Sequence, residues 1–216
     1  MSEILNKNLK QRIVEISYKN HLSHIASCIT SCDIIDLIYQ NKSIRDPFIL
    51  SNGHAGLALY CVLEKYEGRN AEKLFKKHGV HPNRDLEDGI WFSTGSLGQG
   101  FPTALGMALA HDGLVYCLTS DGEWSEGSCW EALRIAADIQ INNLYIYGSC
   151  NGYGAYSDID TERLKWRIGA FLKNSFPHVA MLDTNLEGYP DWIQGLAGHY
   201  VVLDKKKYTE LREILS

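Results

Sequence analysis

The chain has 216 residues, a length that suits one domain able to bury roughly 70% of its unfolded surface. Lys and Arg total 21 against 26 for Asp and Glu, a formal charge of −5 that argues against a nucleic-acid surface; no basic cluster exceeds Lys205-Lys206-Lys207, which reads as a solvated helix start. No apolar run approaches the ~18 residues of a membrane span, and nothing resembles a signal peptide. Six cysteines without a secretion signal are expected to stay reduced, so a cytoplasmic protein with no membrane and no nucleic-acid partner is expected.

Ile4, Leu5, Leu9, Ile13, Val14 and Ile16 recur at helical spacing over residues 3–20. A polar break at Asn20-His21 precedes a second helical run over 30–40. Asp46-Pro47 turns the chain into the short apolar run Phe48-Ile49-Leu50, and Ser51-Asn52-Gly53-His54 leads into a helix ending near Glu67-Gly68. Residues 77–96 read as a long irregular connection, of the kind that is functional or disordered in a compact domain. The pattern then predicts helix 99–111, strand 114–119, helix 126–140, strand 143–148, helix 160–173, strand 178–182, helix 189–198, strand 200–203 and helix 207–215. Such alternation predicts an α/β fold with a mainly parallel sheet and helices on both faces. With no internal repeat and no linker, 1–216 reads as a single domain.

Two turns stand out. Ser120-Asp121-Gly122-Glu123 follows the strand at 114–119, and Ser149-Cys150-Asn151-Gly152 follows the strand at 143–148. In an open parallel sheet both reach the carboxyl edge, where ligands bind. One carboxylate and one amide carbonyl, both hard oxygen donors, suit Mg²⁺ held against a diphosphate.

Thr94-Gly95-Ser96-Leu97-Gly98-Gln99-Gly100 precedes a helix. It is neither a Walker loop nor the dinucleotide G-x-G-x-x-G, so a tight packing turn and a ligand loop both remain open. His24, His54 and His81 each fall in a loop or at a helix start, where imidazoles gathered at one sheet edge could bond ligands and move protons. His21, His24, Cys28 and Cys32 offer zinc donors, but a single helical stripe rarely closes a tetrahedron and no Cys-x-x-Cys occurs; the cysteines read as small core or turn residues. Glu126 fits a helix N-terminus. Glu131, within Trp130-Glu131-Ala132-Leu133, fits a buried or interface position.

Together these residues resemble the N-terminal, diphosphate-binding half of transketolase, as found in split transketolases made of two polypeptides. Leu22-Ser23-His24-Ile25-Ala26 and Cys32-Asp33-Ile34 are similar to the family's Ser-Gly-His-Pro-Gly stretch and the Ala-Asp-Ile after it. DPFILSNGHAGLALY, residues 46–60, is similar to its DRFILSKGHA segment, Val80-His81-Pro82 to its Gly-His-Pro, and STGSLGQG at 93–100 matches almost letter for letter. Residues 120–151 are similar to the thiamine diphosphate motif that begins Gly-Asp-Gly and ends on Asn. The likeness spans about residues 10 to 155.

The resemblance implies thiamine diphosphate as cofactor and Mg²⁺ (Ca²⁺ or Mn²⁺ as substitutes), held by Asp121, Asn151 and the carbonyl of Tyr153. Gly95, Leu97, Gly98, Gly122 and Glu123 join Asp121 and Asn151 in the implied cofactor-binding set. His24, His54 and His81 would face the cofactor and sugar hydroxyls, and Glu126 and Glu131 would form a carboxylate network at a subunit interface; these five are the implied catalytic residues. The implied reaction moves a two-carbon ketol unit from a ketose or its phosphate to an aldehyde acceptor. The family's ring-activating Glu and its main sugar-phosphate contacts belong to a pyrimidine-binding domain that does not fit within this length. A separate partner chain is therefore implied, in an α2β2 assembly, acting on sugars or sugar phosphates.

Ser120 stands where the family has Gly, Ser149 where an acid commonly precedes the Asn, Ile25-Ala26 where it has Pro-Gly, and Val80 where it has Gly. These departures make a related thiamine-dependent synthase, with an unusual sugar or nucleotide-linked acceptor, the second reading. A non-catalytic regulatory homologue is a third, opposed by retention of Asp121, Asn151 and the three histidines. A nicotinamide dehydrogenase lacks its glycine fingerprint.

Overall fold

The computed structural model describes residues 5–172 and 176–216. The expected helix start at residue 3, with Ile4, and the expected helix end at 173 lie outside the described residues. Helix α1 (Lys7–Asn20) buries Leu9, Ile13, Val14 and Ile16 on one face and stops where His21 turns left-handed at φ 52°, its N–H directed at the carbonyls of Ser17 and Tyr18. Leu5 lies outside this helix and is exposed.

Helix α2 (Ile25–Asn41) begins earlier than the 30–40 expected from periodicity. His24 supplies the left-handed N-cap, and the first turns are buried nearly all round, so no polar stripe marks them. The buried hydroxyls there are satisfied locally: Thr30 Oγ1 donates to the Ser27 carbonyl and Ser31 Oγ accepts from Asn52 Nδ2 at 3.0 Å.

Strand β1 (Phe48–Leu50) leads through a 3₁₀ turn (Gly53–Ala55) into α3 (Gly56–Glu67). Helix α4 (Ala71–His78) follows, with the Asn70 side chain capping Lys73 N–H and basic residues in the last turn. It takes in residues 77 and 78, which sequence patterning places in the irregular connection. The connection itself is irregular but anchored. Lys77 Nζ reaches both Asp85 and Asp88 at 2.7 Å, and His78 Nε2 lies 2.8 Å from Asp88.

The remainder alternates: α5 (Gly100–Ala110), β2 (Val115–Ser120), α6 (Gly127–Asp138), β3 (Leu144–Cys150), α7 (Thr161–Phe171) and β4 (His178–Asp183). The four strands pair in parallel in the order β1-β2-β3-β4. Side chains alternate across the sheet. Tyr116 and Leu118 join the core beneath α1, α2 and α3, while Val115 and Cys117 join the core beneath α5, α6 and α7. Helices therefore cover both faces, as expected.

Two expectations near the carboxyl end are corrected. Instead of one helix over 189–198, Pro190 and the glycines at 195 and 198 leave a 3₁₀ turn (Asp191–Ile193) and a single-turn helix α8 (Gly195–Gly198). Residues 200–203 form no strand; they run as coil back to Leu203, buried against the α1 side. Helix α9 (Lys205–Ile214) then starts at the Lys205-Lys206-Lys207 run, capped by Asp204, with Tyr208 stacked on Tyr18 at 4.3 Å.

All six cysteines are free and buried. Cys28 Sγ points to the His54 carbonyl and Cys32 Sγ to the Ile29 carbonyl, so α2 carries core thiols. Burial pushes the Cys28 thiol up to about 12. Among the described residues the grouping compact enough for a metal is His78, Asp85 and Asp88, whose carboxylates already hold Lys77. No helix among the described residues is long and apolar enough to cross a membrane.

Candidate functional site

The register of β2 and β3, with Ser120 opposite Ser149, brings the turns that follow them side by side at the carboxyl edge. Between those turns and the starts of α2 and α3 lies a cavity of about 260 Å³, whose wall includes His24, His54, His81, Asp121, Asn151 and His199.

Asp121 is 1% exposed. Its Oδ1 accepts from Gly122 N–H at 3.0 Å and its Oδ2 from Gly152 N–H at 2.7 Å. Among the described residues no cation partners it, and burial outweighs these bonds, raising the carboxyl to about 6. Asn151 Oδ1 accepts from Tyr153 N–H at 3.0 Å, and Tyr153 and Gly154 also border the cavity. A side chain at Gly122 would meet the Gly154 backbone at 3.3 Å, so the two turns abut there. A buried, cation-free carboxylate beside an amide oxygen is a donor set suited to a hard divalent ion.

Four imidazoles of the same cavity wall gather together. The His24 ring centroid lies 5.6 Å from that of His54, 6.5 Å from His81 and 4.5 Å from His199; His54 and His199 are 5.2 Å apart. Burial depresses His54 to about 3 and His24 to about 4, and lowers His199. These three rings are neutral near pH 7, each able to donate and accept one hydrogen bond. Among the described residues His24 Nδ1 and Asn52 Oδ1 are buried without a partner. His24 is itself held left-handed at φ 61°.

The glycine-rich loop borders the cavity at one end and packs against α6 at the other. Gly95 and Leu97 line the cavity. Gly98 does not: it sits at φ 78°, where a side chain would strike Glu126 Cβ at 2.6 Å, and its carbonyl accepts from Ser128 Oγ at 2.7 Å. Gly98 is a packing glycine joining the loop to α6.

Three expected carboxylates lie away from the cavity wall. Glu123 is fully buried behind it, forming a capping box with Ser120. Glu126 is exposed at the N-cap of α6, and the Glu131 side chain is 71% exposed, 3.7 Å from Arg134. Within the chain Glu131 is not buried: the helix turns Ala132 and Leu133 inward and Glu131 out.

Sequence reasoning missed His199, Asn52 and the hydroxyls of Ser27, Thr30 and Ser31, all of which border the cavity. His199 had no sequence signal, since it stands in the short coil after α8. Its carbonyl accepts from His24 N–H at 3.0 Å and its Nδ1 lies 3.3 Å from Ser27 Oγ.

A parallel four-stranded sheet with helices on both faces and a cavity at the carboxyl ends of adjacent strands is an open α/β arrangement of the kind that binds ligands at that edge. Residues 36–153, more than half the chain, match the model described as transketolase, thiamine diphosphate binding domain, and the chain belongs to that family. It is similar to one of the subunits of apulose-4-phosphate transketolase in Phocaeicola vulgatus, 30% identical over 163 residues that take in 66% of this chain and 58% of that protein. Human transketolase is 34% identical over 155 residues, 61% of this chain and 24% of the human protein. The chain thus spans little more than half of the first relative and about a quarter of the second. In fold it is similar to transketolase from Leishmania mexicana, with a TM-score of 0.74 at 18% identity, covering 100% of this chain and 41% of that one.

Proposed function

We propose that this chain is the diphosphate-binding subunit of a two-chain transketolase-like enzyme, and that it moves a two-carbon ketol unit from a ketose or ketose phosphate to an aldehyde acceptor. The observation that carries this reading is that one cavity is lined by Asp121 and Asn151 together with His24, His54, His81 and His199. Residues 1–216 act as one thiamine diphosphate-binding unit in this reading.

Asp121 and Asn151 hold Mg²⁺ through side-chain oxygens and Tyr153 through its carbonyl, with Ca²⁺ or Mn²⁺ able to substitute. Gly122, Gly95 and Leu97 border the diphosphate and ring. When bound, thiamine diphosphate supplies the electron sink for carbon–carbon bond cleavage. The chain's own part is orientation and proton handling. Neutral imidazoles hydrogen-bond the hydroxyls of donor and acceptor and move protons to and from them. Asp121 is the one acid among the described residues bordering the cavity, and the cation would occupy it. The carboxylate that activates the cofactor ring therefore comes from a partner with a pyrimidine-binding domain, in a cytoplasmic α2β2 assembly whose contacts include Glu126 and Glu131.

A second reading, a related synthase with an unusual sugar or nucleotide-linked acceptor, is favoured by Ser120 and Ser149 at the strand ends and by a cavity wall without Lys or Arg, among the described residues, to grip a sugar phosphate. The test is ketol transfer by the purified chain, alone and mixed with a pyrimidine-domain chain, in thiamine diphosphate and Mg²⁺. Turnover is expected only from the mixture. Full turnover by the chain alone would overturn the two-chain assignment, and transfer confined to non-phosphorylated or nucleotide-linked acceptors would select the second reading.

A further inference from the structure

The group that ties the cavity's loops together lies outside its wall. Glu123 Oε1 accepts from Ser51 Oγ and from Gly98 N–H at 3.1 Å, and its Oε2 accepts from Ser120 N–H at 3.2 Å. Each donor belongs to a different segment. Ser51 opens the stretch that carries Asn52 and His54, Gly98 closes the loop whose Gly95 and Leu97 line the cavity, and Ser120 precedes Asp121. Glu123 is fully buried and has no Lys, Arg or His partner among the described residues. Two N–H groups and one O–H alone satisfy the carboxylate. A buried carboxyl left without such bonds is costly, so Glu123 and the three donors fix one another's positions.

We propose that Glu123 is a positioning residue, which sets the spacing of the His54, Gly95–Leu97 and Asp121 walls without touching the ligand. Its effect on cofactor binding rests on the transketolase-like reading; its effect on the loops does not. Two substitutions separate its arms. In Glu123→Gln the amide oxygen can still serve Ser51 and Gly98, but the NH₂ group then faces the Ser120 N–H, donor against donor, at the corner next to Asp121. Ser51→Ala releases only the His54 segment.

Hydrogen exchange on the full chain without ligand reads the loops directly. Ser120 N–H is expected to exchange roughly tenfold faster or more in Glu123→Gln, and to keep its wild-type rate in Ser51→Ala. In the two-chain enzyme, Glu123→Gln should weaken thiamine diphosphate binding in Mg²⁺ by about tenfold or more, whereas Ser51→Ala should leave Kd within about twofold and lower kcat. A residue that only stabilises the fold would lower both thermal midpoints, speed exchange throughout the chain and leave Kd and kcat unchanged; that pattern overturns the proposal. So does Ser120 protection that survives in a folded Glu123→Gln chain. Should Glu123→Gln fail to fold, the split between kcat and Kd in Ser51→Ala decides. Should the wild-type pair bind no thiamine diphosphate, the function reading fails and the exchange rates alone judge the positioning role.

Discussion

The backbone N–H of His24 donates to the carbonyl of His199, fastening the start of α2 to the coil that follows α8. The bond helps hold His24 in its left-handed conformation and sets the two rings edge to face at 4.5 Å. His199→Ala removes the ring but keeps the carbonyl. The expected result is a kcat for ketol transfer lower by ~10²-fold, the scale of one lost proton-handling group, with little change in cofactor affinity. Steady-state kinetics of the two-chain enzyme decide this, and an unchanged kcat would remove His199 from the working cluster.

His24 and His54 give the fold a defined pH dependence. Their folded pKa values, about 4 and about 3, lie below the ordinary histidine value of 6.5. At these two histidines the unfolded chain therefore binds more protons than the folded chain between roughly pH 3 and 6.5. The histidine contribution to stability is complete above about pH 6.5 and is lost as pH falls through the folded values. Urea unfolding at pH 7 and pH 5 should show a larger loss for wild type than for the His24→Asn, His54→Asn double variant. The double variant is the needed reference because Asp121 and Glu123, both raised by burial, titrate with the opposite sign in part of the same range.

Asp121→Asn separates stability from function. The native carboxylate is buried without a cation among the described residues, which a neutral amide relieves, while the new NH₂ group faces the Gly122 or Gly152 N–H. The two effects oppose, and the chain without ligand should stay folded with a midpoint close to wild type at pH 7.5. The same variant should lose Mg²⁺-dependent binding of thiamine diphosphate. Thermal unfolding and calorimetric titration report the two effects. Retention of tight Mg²⁺-dependent binding would exclude Asp121 as a ligand.

Gly98→Ala tests the packing role of the glycine-rich loop. The left-handed backbone alone costs an L-residue ~1 kcal/mol, and the new methyl group meets Glu126 and Ser128 on α6. A loss of about 2 kcal/mol in denaturant unfolding is expected. A change below ~0.5 kcal/mol would mean that the loop is free to move away from α6.

Much of this architecture was legible in the sequence because its strands and most helices carry the matching period. The Asp121 and Asn151 turns could be placed at one sheet edge once the strands before them were recognised. The start of α2 was hidden because burial on every side erases periodicity, and its cap is a histidine in a conformation that sequence does not announce. His199 was hidden for a different reason: a coil residue reaches the site only through the path of the turns at 191–198. The inward-facing role of Glu123 did have a signal. Ser120-x-x-Glu123 spells a capping box, which directs the Glu back at its own turn instead of toward a ligand. For Glu131 only burial within the chain failed as an expectation, because apolar neighbours in sequence are not neighbours on a helix face.

The make-up of the cavity wall fixes an order of events. Asp121 is the one carboxylate among the described residues that border the cavity, and no ammonium or guanidinium among them borders it. An anion arriving by itself meets a repelling carboxylate, and a divalent ion reverses the local field. Under the proposed function, metal and diphosphate are then expected to enter together or metal first, and a chelator to release both.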